Sequence, residues 1–257
     1  MKVVILCGGM GTRLREETEY KPKPMVEIGG HPILWHIMKT YSFYGFTDFV
    51  LCLGYKGDVI KDYFYNYKMR NNDFSINLTT GDITLHDSKE ENNWNVTLAN
   101  TGLTSMTGAR IKRVQKYIED DTFMVTYGDG VTDLNISKLL EYHQKHGKVG
   151  TVTGVHPPSR YGELRLEGDC VTCFDEKPET GVAPISGGYF VFNKEIFDYL
   201  DENESCVLEK SPLSNLAKDG QLKVYHHKGF WQCMDTYRDN LFLNDLWKSN
   251  MAPWKVK

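Results

Sequence analysis

No stretch of the 257-residue chain approaches the roughly 20 consecutive apolar residues that span a bilayer. The apolar opening, Met1 to Cys7, is too short for a signal-peptide core and runs straight into glycines, so the expected compartment is the cytosol. Positive charge is also scarce. Thirty Lys and Arg stand against 34 Asp and Glu, a net charge of -4, and no global field draws nucleic acid. Basic residues that matter must therefore act locally. The six cysteines build neither a disulfide framework nor a zinc site. Cys170 and Cys173 form a lone C-x-x-C with no second pair, and read as two thiols on opposite faces of a strand. His36, His86, His143 and His156 lack metal-ligand spacing and read as structural or solvated. The run Lys89-Glu90-Glu91 reads as a solvated loop. There is no internal repeat, low-complexity tract or linker.

What is present is ordinary for a globular protein: 40% hydrophobic and 25% charged residues, with length for one full core. Lys2 to Cys7 reads as a buried parallel strand. A long loop, Gly8 to Gly30, follows it, and unusually long loops are often functional. Helix, strand and helix are then expected from Pro32, Asp48 and Gly57. Short strands are expected at Phe74 to Leu78, Ile83 to His86 and Asn95 to Ala99, and a helix at Thr107 to Tyr117. Thr122 to Tyr127 is an apolar strand, with a helix from Ile136 closed by Gly147. Strands crowd after Gly150, and Thr236 to Lys248 is a last helix. The pattern predicts an α/β fold: one doubly wound, mixed but mostly parallel sheet with a β-rich insertion. The whole chain reads as a single domain. Residues 1–130 read as a first half, 131–235 as a second, and 236–257 as a C-terminal helix and tail.

The strongest chemical signal is Leu6-Cys7-Gly8-Gly9-Met10-Gly11-Thr12-Arg13-Leu14, followed by Lys21-Pro22-Lys23-Pro24. Glycines at the carboxyl end of a first strand let backbone N–H groups approach a nucleotide. Arg13 offers a rigid fork for phosphate oxygens, and Lys23 adds a point charge on a proline-stiffened segment. This is no Walker loop, because Gly-Lys-Ser/Thr is missing. It is no dinucleotide fingerprint either, because Leu14 stands where the third glycine belongs. Tyr127-Gly128-Asp129-Gly130 ends an apolar strand on the same expected sheet edge, where Asp129 could ligate a metal or merely form a turn. Asp235, before the last helix, could be its N-cap.

The first segment resembles the signature of the sugar-1-phosphate nucleotidyltransferases. Val26-Glu27-Ile28-Gly29-Gly30, Gly54-Tyr55-Lys56-Gly57, Trp94-Asn95-Val96-Thr97, Glu176-Lys177-Pro178 and Phe230-Trp231-Gln232 extend the resemblance over nearly the whole chain, toward the cytidylyltransferase branch that acts on glucose 1-phosphate. The resemblance implies a Rossmann-like fold, CTP and glucose 1-phosphate as substrates, and Mg²⁺ on Asp129 and Asp235. It implies that Arg13, Lys23, Asp129 and Asp235 are catalytic. The nucleotide would be bound by Leu6 to Arg13, Lys23, Ser105, Arg110, Gly128 and Asp129. Tyr127, Glu176, Lys177, Gly187 and Gly188 would bind the sugar phosphate. From sequence alone Arg110 reads equally well as an exposed helix residue. Such enzymes make a CDP-sugar for dideoxyhexoses of bacterial surface polysaccharides. They assemble as homo-oligomers, with hexamers among the expected forms, and no nucleic acid or membrane partner is implied. Cys7 stands where most relatives carry alanine, and a thiol beside the base implies oxidation sensitivity.

The implied reaction needs no protein nucleophile. A phosphate oxygen of the sugar 1-phosphate attacks the α-phosphorus, and pyrophosphate leaves. UTP- or dTTP-using chemistry is the nearest alternative, since spacing does not read the base. A non-catalytic nucleotide-sugar sensor is a second, and a nicotinamide-dependent dehydrogenase a distant third.

Overall fold

The computed structural model describes residues 1–11, 18–86, 93–156, 163–175 and 183–256, the side chains of 163–166 and 174–175 aside. Thr12, Arg13, Glu176, Lys177 and the charged run at Lys89 lie outside the described residues.

Strand β1 (Lys2–Leu6) opens the chain, as expected. The long loop contains a 3₁₀ turn at Lys23–Met25 and the short pair β2 (Glu27–Ile28) and β3 (His31–Pro32). Pro32 caps α1 (Ile33–Phe43), and β4 (Asp48–Leu53) follows. The expected second helix divides into α2 (Gly57–Tyr65) and α3 (Tyr67–Asn71). A hairpin of β5 (Asp73–Ile76) and β6 (Ile83–His86) leads to β7 (Asn95–Asn100). Helix α4 (Thr107–Arg113), β8 (Thr122–Tyr127) and β9 (Gly130–Thr132) come next. In α5 (Ile136–His146), Asn135 accepts from the Lys138 amide and Gly147 closes the end in the left-handed region at φ 61°. The second half holds β10 (Gly150–Val155), β11 (Glu163–Glu167), β12 (Cys170–Asp175) and β13 (Ile185–Asn193). It ends with α6 (Ser211–Lys218), β14 (Leu222–His226), β15 (Trp231–Cys233) and α7 (Tyr237–Lys248).

Seven strands form the central sheet in the order β14-β10-β13-β8-β1-β4-β7. All its pairings are parallel except those of β13, which runs antiparallel to β8 and β10. Of the described strands from Gly150 on, β10, β13 and β14 join the main sheet, β11 and β12 make a separate hairpin, and β15 pairs with β9. Cys170 and Cys173 lie on β12 with free thiols. Both faces of the sheet are covered. Val3 and Ile5 pack with α1, α5 and α7, while Val4 and Leu6 pack with α4 and α6. This is why β1 is a continuous apolar run rather than an alternating one. Each such buried side chain contributes about 1.5–3 kcal/mol. The surface pair Lys2–Asp48, at 2.7 Å, is worth about 0.2–1 kcal/mol, so burial and not surface charge holds the sheet. Among the described residues no helix is long and apolar enough to cross a membrane.

His36 is structural, as expected. It is 2% exposed, its Nε2–H donates to the Ile28 carbonyl at 2.8 Å, and the Trp247 ring stands edge-on at 4.7 Å. Burial above all, with His31 nearby, pushes its pKa down to about 4 against the help of that carbonyl. The unfolded chain takes the proton near pH 6.5, so between there and about pH 4 it binds more protons than the folded one. Stability should fall across that window as pH falls, by up to about 3 kcal/mol from this group. His36→Gln, which keeps an N–H donor, should flatten the pH dependence of urea midpoints between pH 7 and 4.5. An unchanged slope would contradict the assignment.

Candidate active site

The carboxyl ends of β1 and β8 lie side by side, with Leu6 opposite Tyr127. A pocket of about 320 Å³ opens there, within the usual size of a small-ligand site. The glycine loop forms one wall through Leu6, Cys7, Gly8, Gly9 and Gly11, and Ser105, Thr107 and Arg110 of the α4 region form another. Lys23, Gly128, Asp129 and Asp235 complete it. Met10 is half exposed and does not line it.

Arg110 corrects the exposed-helix reading. It is 4% exposed, and its guanidinium is spent on the protein. Nη1 donates to Thr101 Oγ1 and the Gly102 carbonyl, both at 2.8 Å, and to the Leu53 carbonyl at 3.1 Å. Nη2 donates to the Gly8 carbonyl at 3.0 Å. A Cβ on Gly8 would fall 2.2 Å from that guanidinium, so only glycine lets the loop close over it. Arg110 thus braces the glycine loop as well as lining the pocket. Ser105 is likewise committed, accepting from Arg113 Nη1 at 2.6 Å.

Asp129 and Asp235, 106 residues apart, meet for a reason their spacing hides. The three-residue strands β9 and β15 pair antiparallel, with Gly130 opposite Cys233, and the Met234 amide donates to the Asp129 carbonyl at 2.8 Å. The two aspartates flank this ribbon. Asp235 is not the cap of α7, which is Thr236 in a reciprocal box with Asp239. Asp239 also accepts from the Asp235 amide at 3.1 Å and holds the turn.

Lys23 Nζ donates to Asp129 Oδ2 and Asp235 Oδ1, both at 2.6 Å. Burial opposes its charge, but the two carboxylates outweigh burial and hold the ammonium above the ordinary lysine range. A cation is therefore stabilised between the carboxylates. Among the described residues no group of three or more His, Cys, Asp and Glu is arranged to hold a metal.

A second pocket, of about 340 Å³, shares Tyr127, Asp129 and Asp235 with the first. Gly187, Glu209, Trp231 and Cys233 line it as well. Gly187 lines this pocket, but Gly188 serves the fold. At φ 76°, its added Cβ would meet the Tyr127 ring at 2.3 Å, so this glycine makes room for Tyr127 and does not line the pocket. Trp231 lies within the Phe230-Trp231-Gln232 resemblance, whereas Glu209 and Cys233 carry no motif of their own.

The oxidation-sensitive reading of Cys7 is corrected too. Its thiol is fully buried, and burial, with Cys52 beside it, pushes the pKa well above the ordinary value. Cys233 is pushed up to about 12 by burial and by Asp235 and Asp129. A protonated thiol is a poor nucleophile. Mild iodoacetamide at pH 8 should label exposed Cys170 and leave Cys7 intact, as peptide mass spectrometry would read; labelled Cys7 in folded protein would contradict this.

Known proteins share this architecture. Glucose-1-phosphate cytidylyltransferases of Salmonella typhi and Salmonella typhimurium are each 51% identical to the chain, over 100% of it and 99% of their own length. The crystal structure of HddC from Yersinia pseudotuberculosis superposes with a TM-score of 0.67 at 27% identity, covering 96% of this chain and 99% of that one. The nucleotidyl transferase profile matches residues 2–239, nearly the whole sheet and both pockets, and the chain belongs to that family of enzymes.

Proposed function

We propose that the chain is a glucose-1-phosphate cytidylyltransferase, converting CTP and α-D-glucose 1-phosphate to CDP-glucose and pyrophosphate with Mg²⁺. The observation that carries this reading is the meeting of Asp129 and Asp235 on one ammonium, at the junction of two pockets. The full-length relatives named for this activity support the choice of substrates.

The nucleotide occupies the pocket under the glycine loop, where backbone N–H groups and Gly9 leave room for phosphates. The sugar 1-phosphate occupies the pocket of Gly187 and Trp231. A phosphate oxygen attacks the α-phosphorus in line, the new P–O–P bond forms, and the bond to pyrophosphate breaks. Both reactants are anions, so catalysis is positioning plus charge neutralisation. Lys23 and Arg13 stabilise the departing pyrophosphate, and Lys177 holds the attacking phosphate. Asp129 and Asp235 are hard oxygen donors that converge on the Lys23 ammonium, and they would hold Mg²⁺. Bound there, Mg²⁺ would neutralise phosphate charge as a Lewis acid. The reaction belongs to the cytosol, where nucleoside triphosphates are, and to a homo-oligomer making CDP-sugars for surface polysaccharide.

Pyrophosphate release from glucose 1-phosphate and Mg²⁺ tests the reading when CTP, UTP, dTTP, ATP and GTP are run in parallel. A strong preference for CTP is expected. Preference for another nucleotide would keep the chemistry and overturn the base assignment, and no release from folded protein would overturn both.

A further inference from the structure

Glu209 adds a third carboxylate to the second pocket, and neither the glycine motif nor the aspartate pair accounts for it. It lies in a segment docked on the start of α4. The Met106 amide donates to the Glu204 carbonyl at 2.8 Å, and the Ala109 amide to the Cys206 carbonyl at 3.1 Å. Two hydroxyls grip the Glu209 carboxylate. The Tyr127 hydroxyl donates to Oε1, and Thr107 Oγ1 donates to Oε2 at 2.7 Å. Thr107 is itself fixed, accepting from the Leu208 amide at 2.9 Å. Thr107 lines the first pocket, Glu209 the second, and Tyr127 both.

An ionised carboxylate has about four acceptor positions. Two are taken here by hydroxyl donors, and the rest are available to a ligand. Its negative charge repels a phosphate but welcomes neutral O–H donors. A cation held on the aspartate pair suits the charged end of a sugar phosphate, and Glu209 suits its hydroxyl end. Trp231, whose Nε1–H donates to the Gly187 carbonyl at 2.7 Å, gives the pocket a fixed flat wall. Carboxylate, fixed aromatic ring and close glycine backbone together make a surface for a polyhydroxylated ring.

We infer that Glu209 is a specificity-determining residue: its carboxylate, clamped by Tyr127 and Thr107, accepts hydrogen bonds from the ring hydroxyls of the sugar 1-phosphate. This rests on the sugar-1-phosphate reading above. Glu209 is exposed in the free protein, so it discriminates by the hydrogen bond itself: an analogue that lacks the hydroxyl leaves that charge-assisted bond unmade and binds more weakly.

The test is steady-state kinetics of wild type and Glu209→Gln with CTP, glucose 1-phosphate and a set of monodeoxyglucose 1-phosphates. In the variant, KM for glucose 1-phosphate should rise about tenfold or more while KM for CTP stays within about twofold. Wild type should discriminate against one deoxy position, and the variant should lose that discrimination. If both KM values move together, or neither moves, or discrimination persists, the inference is overturned and Glu209 only supports the fold. Should Glu209→Gln fail to fold, Glu209→Asp, which withdraws the charge by one methylene, should give the same split. Wild type with no turnover of glucose 1-phosphate would overturn the underlying reading, and this inference with it. Turnover in wild type with no Glu209 effect would overturn only the inference.

Discussion

Replacing Asp129 by asparagine should lower kcat by about 100- to 1,000-fold while the protein stays folded. Asparagine keeps the shape and removes the charge. The link that builds the site is a main-chain one, the Asp129 carbonyl accepting from Met234, so it should survive the change. What is lost is half of the pair that holds a cation at the junction of the pockets. Asp235→Asn should cost a similar factor. The double variant should fall far short of the product of the two, because residues that act as a unit are not additive. Turnover at saturating substrates, beside thermal unfolding of each variant, reads both outcomes. Near-normal turnover of folded Asp129→Asn would remove the aspartate pair from the mechanism.

Arg110→Met should destabilise the fold by about 1–3 kcal/mol and raise KM for the nucleotide. The side chain is almost wholly buried, and its removal strips the Gly102 carbonyl of its donor, while the Leu53 carbonyl keeps the Thr101 amide and hydroxyl and the Gly8 carbonyl keeps the Tyr55 amide. One buried acceptor stripped of its partner costs about 1–3 kcal/mol, and water entering from the pocket recovers part of it. A double-mutant cycle sharpens the point. Gly8→Ala alone sets a Cβ 2.2 Å from the guanidinium and should be severe, whereas in an Arg110→Ala background the clash is gone. The coupling should therefore be large and opposite in sign to simple addition. Denaturant midpoints of the four proteins measure it, and additive effects would mean that Arg110 does not brace the loop.

Particular residues explain what could be read from the sequence. Thr122–Tyr127 and Ile83–His86 were legible to the residue, because short runs of apolar and β-branched residues bounded by polar or turn residues leave little choice. The glycine loop, Lys23 and Asp129 were legible as neighbours, because the pattern sets them at one sheet edge and they line one pocket. The ribbon of β9 and β15 was not, since three residues show no periodicity. Yet that ribbon unites the two aspartates. Arg110 was misleading because a charged helix residue reads as surface. Its neighbours Gly108 and Ala109 held a clue, since a Cβ on Gly108 would sit 2.6 Å from Cys206 Sγ, a sign of tight packing. Asp235 as a cap could have been corrected from Thr236-x-x-Asp239, whose spacing is that of a capping box. Glu209 had no signal, because its role comes from a segment folded back over α4.

A phosphate oxygen of the sugar 1-phosphate should attack the α-phosphorus of the nucleotide at the Asp129–Asp235 junction. Glucose 1-phosphate labelled with ¹⁸O in its non-bridging phosphate oxygens tests it most directly, with CTP, Mg²⁺ and mass spectrometry of both products. The expected result is CDP-glucose carrying all of the label and pyrophosphate carrying none. Label in the pyrophosphate, or no labelled nucleotide sugar from folded and fully loaded protein, would contradict the account.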